Sequence, residues 1–67
     1  MKYYIKQIDT QLNRVYYKRY KCSWGWTPEA HKDICWKFSK GGAMDIVKRL
    51  RECSSPWIKY EIEEVQE

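Results

Sequence analysis

The sequence predicts an α+β fold. A four-stranded, mostly antiparallel sheet, with the element order β-β-β-α-β, is covered on one face by one helix to make a two-layer sandwich. Three observations predict it. Apolar and polar residues alternate from Arg14 to Trp24 and again from Trp57 to Val65, the period of half-buried strands. Between them, Ala43, Ile46, Val47 and Leu50 recur at the spacing of one helix face. A chain of 67 residues has room for one domain and one core.

Tyr3 to Ile8, rich in aromatic and branched residues, is the first strand, and Asp9 to Asn13, with turn formers at both ends, is a hairpin loop. Arg14 to Trp24 is the second strand. Tyr16, Tyr20, Cys22 and Trp24 share its apolar side, and Lys18 interrupts that side at a twist or bulge. Thr27-Pro28-Glu29-Ala30 has the form of a helix start, with a cap, a proline and an acid, and it allows about one turn. Ile34 to Phe38 is the third strand, with Ile34, Trp36 and Phe38 on one face. Ser39 caps the main helix, Gly41-Gly42 open it, and Ser54-Ser55-Pro56 stop it. In the last strand Ile58, Tyr60 and Ile62 face inward while Lys59, Glu61 and Glu63 face solvent. A right-handed crossover places this strand beside the first and parallel to it, in the order 3-2-1-4.

Composition excludes several classes. Aromatic residues make up 16% of the chain, too many for a disordered tail, and no apolar run approaches the roughly 20 residues of a membrane span. The polar start Met1-Lys2-Tyr3-Tyr4-Ile5-Lys6 is unlike a signal peptide, so a cytoplasmic protein without membrane contact is expected. Three cysteines, Cys22, Cys35 and Cys53, are an odd number at wide spacing. Reduced thiols serving as small core hydrophobes fit that pattern, with one disulfide and a spare thiol as the alternative. Cys22, His31, Cys35 and Cys53 lack the close pairs that structural zinc uses, so no metal and no cofactor is expected.

Catalysis finds little support. His31 is the one histidine, it lies in the polar stretch Glu29–Asp33, and Glu61 and Glu63 share a solvated strand face. Gly41-Gly42 lacks the Lys-Ser/Thr ending of a phosphate-binding loop. A non-enzymatic protein is the expectation.

Charge is distributed unevenly. The net +4 resolves into six basic groups against Asp9 alone over residues 1–24, or +5, then +2 over residues 25–56. Lys59 against four glutamates gives −3 over residues 57–67. Exposed aromatic and arginine side chains dominate protein interfaces, while cations interleaved with rings suit nucleic acid. The candidate partner-binding residues are Lys18, Arg19 and Lys21 of the basic hairpin, Trp26, and Lys48, Arg49 and Arg51 of the helix. Trp24-Gly25-Trp26 is a conspicuous element. Two arrangements suit it: both rings in a binding patch, or Trp24 in the core with Trp26 packed over its edge.

The run Ile34-Cys35-Trp36-Lys37-Phe38-Ser39-Lys40-Gly41-Gly42-Ala43, with Ile46, Leu50 and Tyr60-Glu61-Ile62-Glu63-Glu64-Val65, carries a resemblance over about half the chain. It resembles small bacteriophage- and prophage-encoded proteins in which an aromatic strand leads through Phe-Ser/Thr to an Ala…Ile…Leu helix and a terminal Ile-Glu-Glu-Val strand. That type includes several anti-CRISPR inhibitors. The resemblance implies a non-catalytic protein that covers a functional surface of a host protein or ribonucleoprotein complex; a last strand at the sheet edge, carrying Lys and Glu, makes a monomer or weak homodimer the expectation. The net positive charge departs from the acidic, DNA-mimicking inhibitors. Direct nucleic-acid binding by a basic aromatic sheet face is the alternative.

Overall fold

A computed structural model describes residues 1–66, leaving Glu67 of the acidic run outside the described residues. The strands are β1 (Tyr3–Asp9), β2 (Arg14–Lys18), β3 (Trp26–Pro28) and β4 (Ile58–Glu64), with helix α1 (Lys40–Glu52) before β4 and a 3-10 helix (Glu29–Ile34) after β3. The sheet order is β3-β2-β1-β4 and every neighbouring pair is antiparallel. Among the described residues no helix is long and apolar enough to cross a membrane.

The first hairpin forms where turn chemistry puts it. The Asp9 carboxylate accepts from the backbone N–H of Gln11 and of Leu12, both at 3.0 Å, and Asn13 takes the left-handed conformation at φ 55°. The register Asp9↔Arg14 then places Tyr16 opposite Gln7 and Tyr17 opposite Lys6.

Strand identity in the middle of the chain differs from the sequence expectation. β2 ends at Lys18 rather than Trp24, and the third strand is Trp26–Pro28 rather than Ile34–Phe38. Tyr20, Cys22 and Trp24 alternate, but all three are exposed on a loop over residues 19–25, so their period reflects no buried face. Ile34 and Trp36 are likewise exposed, whereas Cys35 and Phe38 are buried, which is not strand alternation. The cap motif yields the 3-10 helix, but Pro28 precedes it without a side-chain cap and Thr27 is a buried residue of β3.

The same rearrangement reverses the last strand, which is antiparallel to β1 instead of parallel. After β3 the chain crosses to the start of β1, where Phe38 and Tyr3 exchange backbone hydrogen bonds of 2.7 and 2.8 Å. The helix therefore starts at the Tyr3 end. Its 13 residues cover about 20 Å, close to the length of β1, so β4 begins opposite Asp9 and runs back to Tyr3. Ser39 caps α1 by accepting from the Gly42 N–H.

Two clusters hold the layers. On the helix side Ile5, Phe38, Ala43, Val47 and Tyr60 are buried, flanked by Tyr3, Trp26, Ile46, Leu50, Ile58 and Ile62. Ile5 and Tyr17 are the largest side chains with no exposed surface. On the other side Tyr4, Tyr17 and Cys35 are buried, with the Tyr4 and Tyr17 rings edge-to-face at 5.5 Å. The second face is therefore not the solvated surface expected of it, because the 3-10 helix and Cys35 lie over it. Glu63 is recruited there. It accepts from the Tyr17 hydroxyl at 3.0 Å and pairs with Lys32 at 3.4 Å and Lys6 at 3.8 Å. The Lys32 ammonium also sits 5.6 Å from the Tyr17 ring and 5.9 Å from that of Tyr4.

Replacing Ile5 with Ala opens a cavity under α1 and is expected to lower the unfolding free energy by about 2–5 kcal/mol in urea titrations. Exposed Leu12→Ala stays within about 0.5 kcal/mol.

Burial first, then the hydrogen bond to Glu63, raises the Tyr17 phenol above its ordinary value. A raised value in the folded state means that the folded chain keeps a proton which the unfolded chain releases. The stabilisation is complete below about pH 10 and is lost as pH climbs beyond it. Tyr17→Phe is expected to cost about 1–3 kcal/mol at pH 8, with the gap to wild type narrowing above about pH 10 in denaturant titrations.

Candidate binding groove

Two grooves flank α1. The larger, about 840 Å³, lies between α1 and β4 and is lined by Met44, Val47, Ile62 and the charged residues Asp45, Lys48, Arg51 and Glu52. Its lining carries two acidic and two basic residues, so its formal charge sums to zero. The smaller, about 400 Å³, lies between α1 and the 19–25 loop, with Ile46 and Leu50 from the helix and Trp24 from the loop. Its charged residues are Lys18, Lys21 and Arg49, and no carboxylate is among its lining residues.

Local structure explains how the loop stands up. Lys18 is the last residue of β2 and is only 7% exposed. Its side chain donates from Nζ to the Ser23 carbonyl at 2.8 Å and lies 5.4 Å from the centre of the Trp24 ring. Loss of hydration lowers the Lys18 ammonium below its ordinary value, which a nearby Cys22 opposes. The loop closes with the Arg19 N–H donating to the Gly25 carbonyl at 2.9 Å. A Cβ at Gly25 would meet Tyr20 ring carbons at 2.8 Å, so a side chain there would have to push that exposed ring aside. Trp24, 74% exposed, projects at the tip.

The two tryptophans follow neither of the expected arrangements. Trp26 faces the helix side of the sheet, half-buried, with its ring 5.9 Å from that of Tyr60, while Trp24 is the exposed one. Trp26 is in the strand and Trp24 outside it, so the two do not share a face.

The seven candidate residues divide accordingly. Lys18, Lys21 and Arg49 converge on the smaller groove, whereas Lys48 and Arg51 line the larger one. Arg51 is also engaged internally, donating from Nε and Nη2 to the Tyr60 carbonyl at 3.2 and 2.8 Å. Arg19 is exposed, its guanidinium 5.2 Å from the Tyr20 ring centre, and lines neither groove. Arg49 pairs with Asp45 at 3.4 Å across one helical turn, an exposed contact worth only tenths of a kcal/mol that salt screens readily. Lys21 places its ammonium 5.7 Å from the Trp36 ring centre. Trp24, Ile46 and Leu50 are the groove residues that the charge pattern did not single out as contacts. The tryptophan pair flagged the neighbourhood, and the helical stripe hid two residues that serve both the core and the groove floor.

The cysteines separate into two kinds. Cys35 is a small core side chain whose Sγ lies 3.7 Å from the Tyr17 carbonyl, and burial raises its thiol. Cys22 and Cys53 are exposed and line the smaller groove rather than the core, and all three are free. Among the described residues no three His, Cys, Asp or Glu side chains are grouped to hold a metal ion.

Comparison of the chain with protein-family models, curated proteins and solved structures finds no match.

Lys18→Met keeps the packed stem and removes the donor to Ser23. Tryptic cleavage after Arg19 and Lys21 is expected to accelerate several-fold, while far-ultraviolet circular dichroism keeps the native spectrum.

Proposed function

We propose that this chain is a non-catalytic, phage-type binding protein that inhibits a host defence complex, in the manner of the anti-CRISPR proteins it resembles, by covering a functional surface. One observation supports the binding half of this reading above the others. Lys18, Lys21 and Arg49 arrive from a strand, a loop and a helix at one groove that has an exposed tryptophan and no carboxylate in its lining. Such an arrangement raises the affinity and rate of encounter with a negatively charged partner surface. The inhibitory role is supported by the resemblance.

A second reading, direct nucleic-acid binding, is favoured by the same exposed Trp24 beside Lys21 and Arg49. The two separate on salt. Binding through phosphates falls steeply between about 50 and 200 mM salt and needs no protein partner.

The test is affinity capture from a bacterial lysate treated with nuclease, comparing wild type with the double variant Lys21→Glu and Arg49→Glu. Specific recovery of a protein complex by wild type, lost in the double variant, is expected. Equal recovery by both would remove the groove from the proposal, and capture abolished by nuclease alone would favour the second reading.

A further inference from the structure

We propose that the groove between the 19–25 loop and α1 is the docking site for an acidic peptide segment of a protein partner, one that inserts a single apolar side chain between its carboxylates. The inference rests on the reading that the chain works by binding, and it names the chemistry of the occupant.

Three features of the groove select this occupant. First, the charge is of one sign. Lys18, Lys21 and Arg49 line it without a carboxylate, and the contact of Arg49 with Asp45, at 3.4 Å, is a solvent-exposed one at the helix surface. Lys18 is engaged with the Ser23 carbonyl, so Lys21 and Arg49 are the cations a carboxylate can reach, and an acidic segment complements them where a cationic one is repelled. Second, the floor is aliphatic. Ile46 and Leu50 are half-buried residues of the helix stripe, and the Trp24 side chain makes the opposing wall, so an apolar anchor exchanges water for hydrocarbon on both sides. Third, the volume of about 400 Å³ sits at the small end of ligand-sized pockets. It holds an anchor and its neighbours, in the pattern by which a few buried side chains carry an interface.

The aromatic rings argue for peptide over nucleic acid. A single strand is held by successive rings with free faces. Here each exposed ring near the groove already carries one of the chain's own cations: Lys18 by Trp24, Arg19 by Tyr20 and Lys21 by Trp36, at 5.2–5.7 Å. Each pairing takes one face of its ring, so fewer faces are left for successive bases, while Lys21 and Arg49 rim the apolar slot. That rim suits side-chain carboxylates.

The proposal is tested with the full chain and a fluorescein-labelled peptide of the pattern Glu-Asp-Glu-Leu-Phe-Asp-Glu, followed by fluorescence anisotropy. Saturable binding is expected. Arg49→Glu, Lys21→Glu and Trp24→Ala should each weaken it by about tenfold or more, as at an interface anchor. Lys59→Glu, on the far face of β4, should leave it unchanged. Replacing Leu-Phe in the peptide by Ser-Ser should also weaken it by about tenfold. Equal binding of the Ser-Ser peptide would overturn the proposal, since the groove would then read charge alone. Tighter binding of oligothymidylate than of the peptide would overturn it in favour of a nucleic-acid strand. Concentration-dependent dimerisation abolished by Arg49→Glu would overturn it in favour of a second copy, with its acidic β4 as the occupant. Circular dichroism and thermal melts of each variant separate lost binding from lost folding. If the peptide fails while Lys21→Glu with Arg49→Glu still abolishes capture from lysate, the occupant is wrong and the binding reading stands. If neither shows binding, both fall.

Discussion

The short backbone bridge between Tyr3 and Phe38 decides where everything after residue 38 lies. It draws the chain back to the beginning of β1 before α1 starts, so the helix runs along the sheet from the Tyr3 end towards the Asp9 end. The last two turns of α1 then come to rest beside the 19–25 loop, with Ile46, Arg49 and Leu50 facing it. The groove is thus a product of topology: a loop left over from a truncated β2 meets a helix end delivered there by a crossover of fixed length. Ala43 and Val47, buried against Ile5 and Tyr60, keep that helix at its angle.

Lys18 links fold and site. It occupies a position that a strand pattern reserves for an apolar residue, and it resolves the conflict by bonding the Ser23 carbonyl from within. The hydrocarbon stem packs in the layer while the ammonium organises the loop above it. The cost is desolvation of the charge, partly offset by the carbonyl and by the Trp24 ring. On the opposite face Glu63 is a similar case, a solvent-pattern residue drawn inward by Tyr17, Lys6 and Lys32. Both polar residues act at the boundary between a layer and the segment that covers it.

How much was legible in the sequence follows from what each residue responds to. The hairpin over Asp9–Asn13, the α1 stripe and the inward face of β4 were readable because local turn chemistry and periodicity decide them. The order of β2, β1 and β4 agrees with the expected one, but that expectation assumed a parallel last strand, and the edge strand is Trp26–Pro28 rather than Ile34–Phe38. The stretch from Arg19 to Phe38 was not readable. Its aromatic residues alternate on a loop, and Trp36 is held by a backbone bond to the Arg19 carbonyl rather than by a ladder. Period two there corresponds to no buried face, since Tyr20, Cys22 and Trp24 are all exposed. Misplacing the third strand then propagated to the direction of β4, since handedness arguments depend on which end of the sheet the helix leaves. Lys18 and Lys21 are close in sequence, whereas Arg49 joins them only because α1 packs beside the 19–25 loop. The aliphatic floor was hidden because Ile46 and Leu50 also belong to the core.

Gly25 gives the groove wall an unusual inheritance. The Tyr20 ring fills the space where any other residue would begin its side chain. A methyl at this position would turn that ring out of place, and with it the Arg19 guanidinium that lies 5.2 Å from its centre, so the shape of the wall beside Trp24 rests on an absent atom.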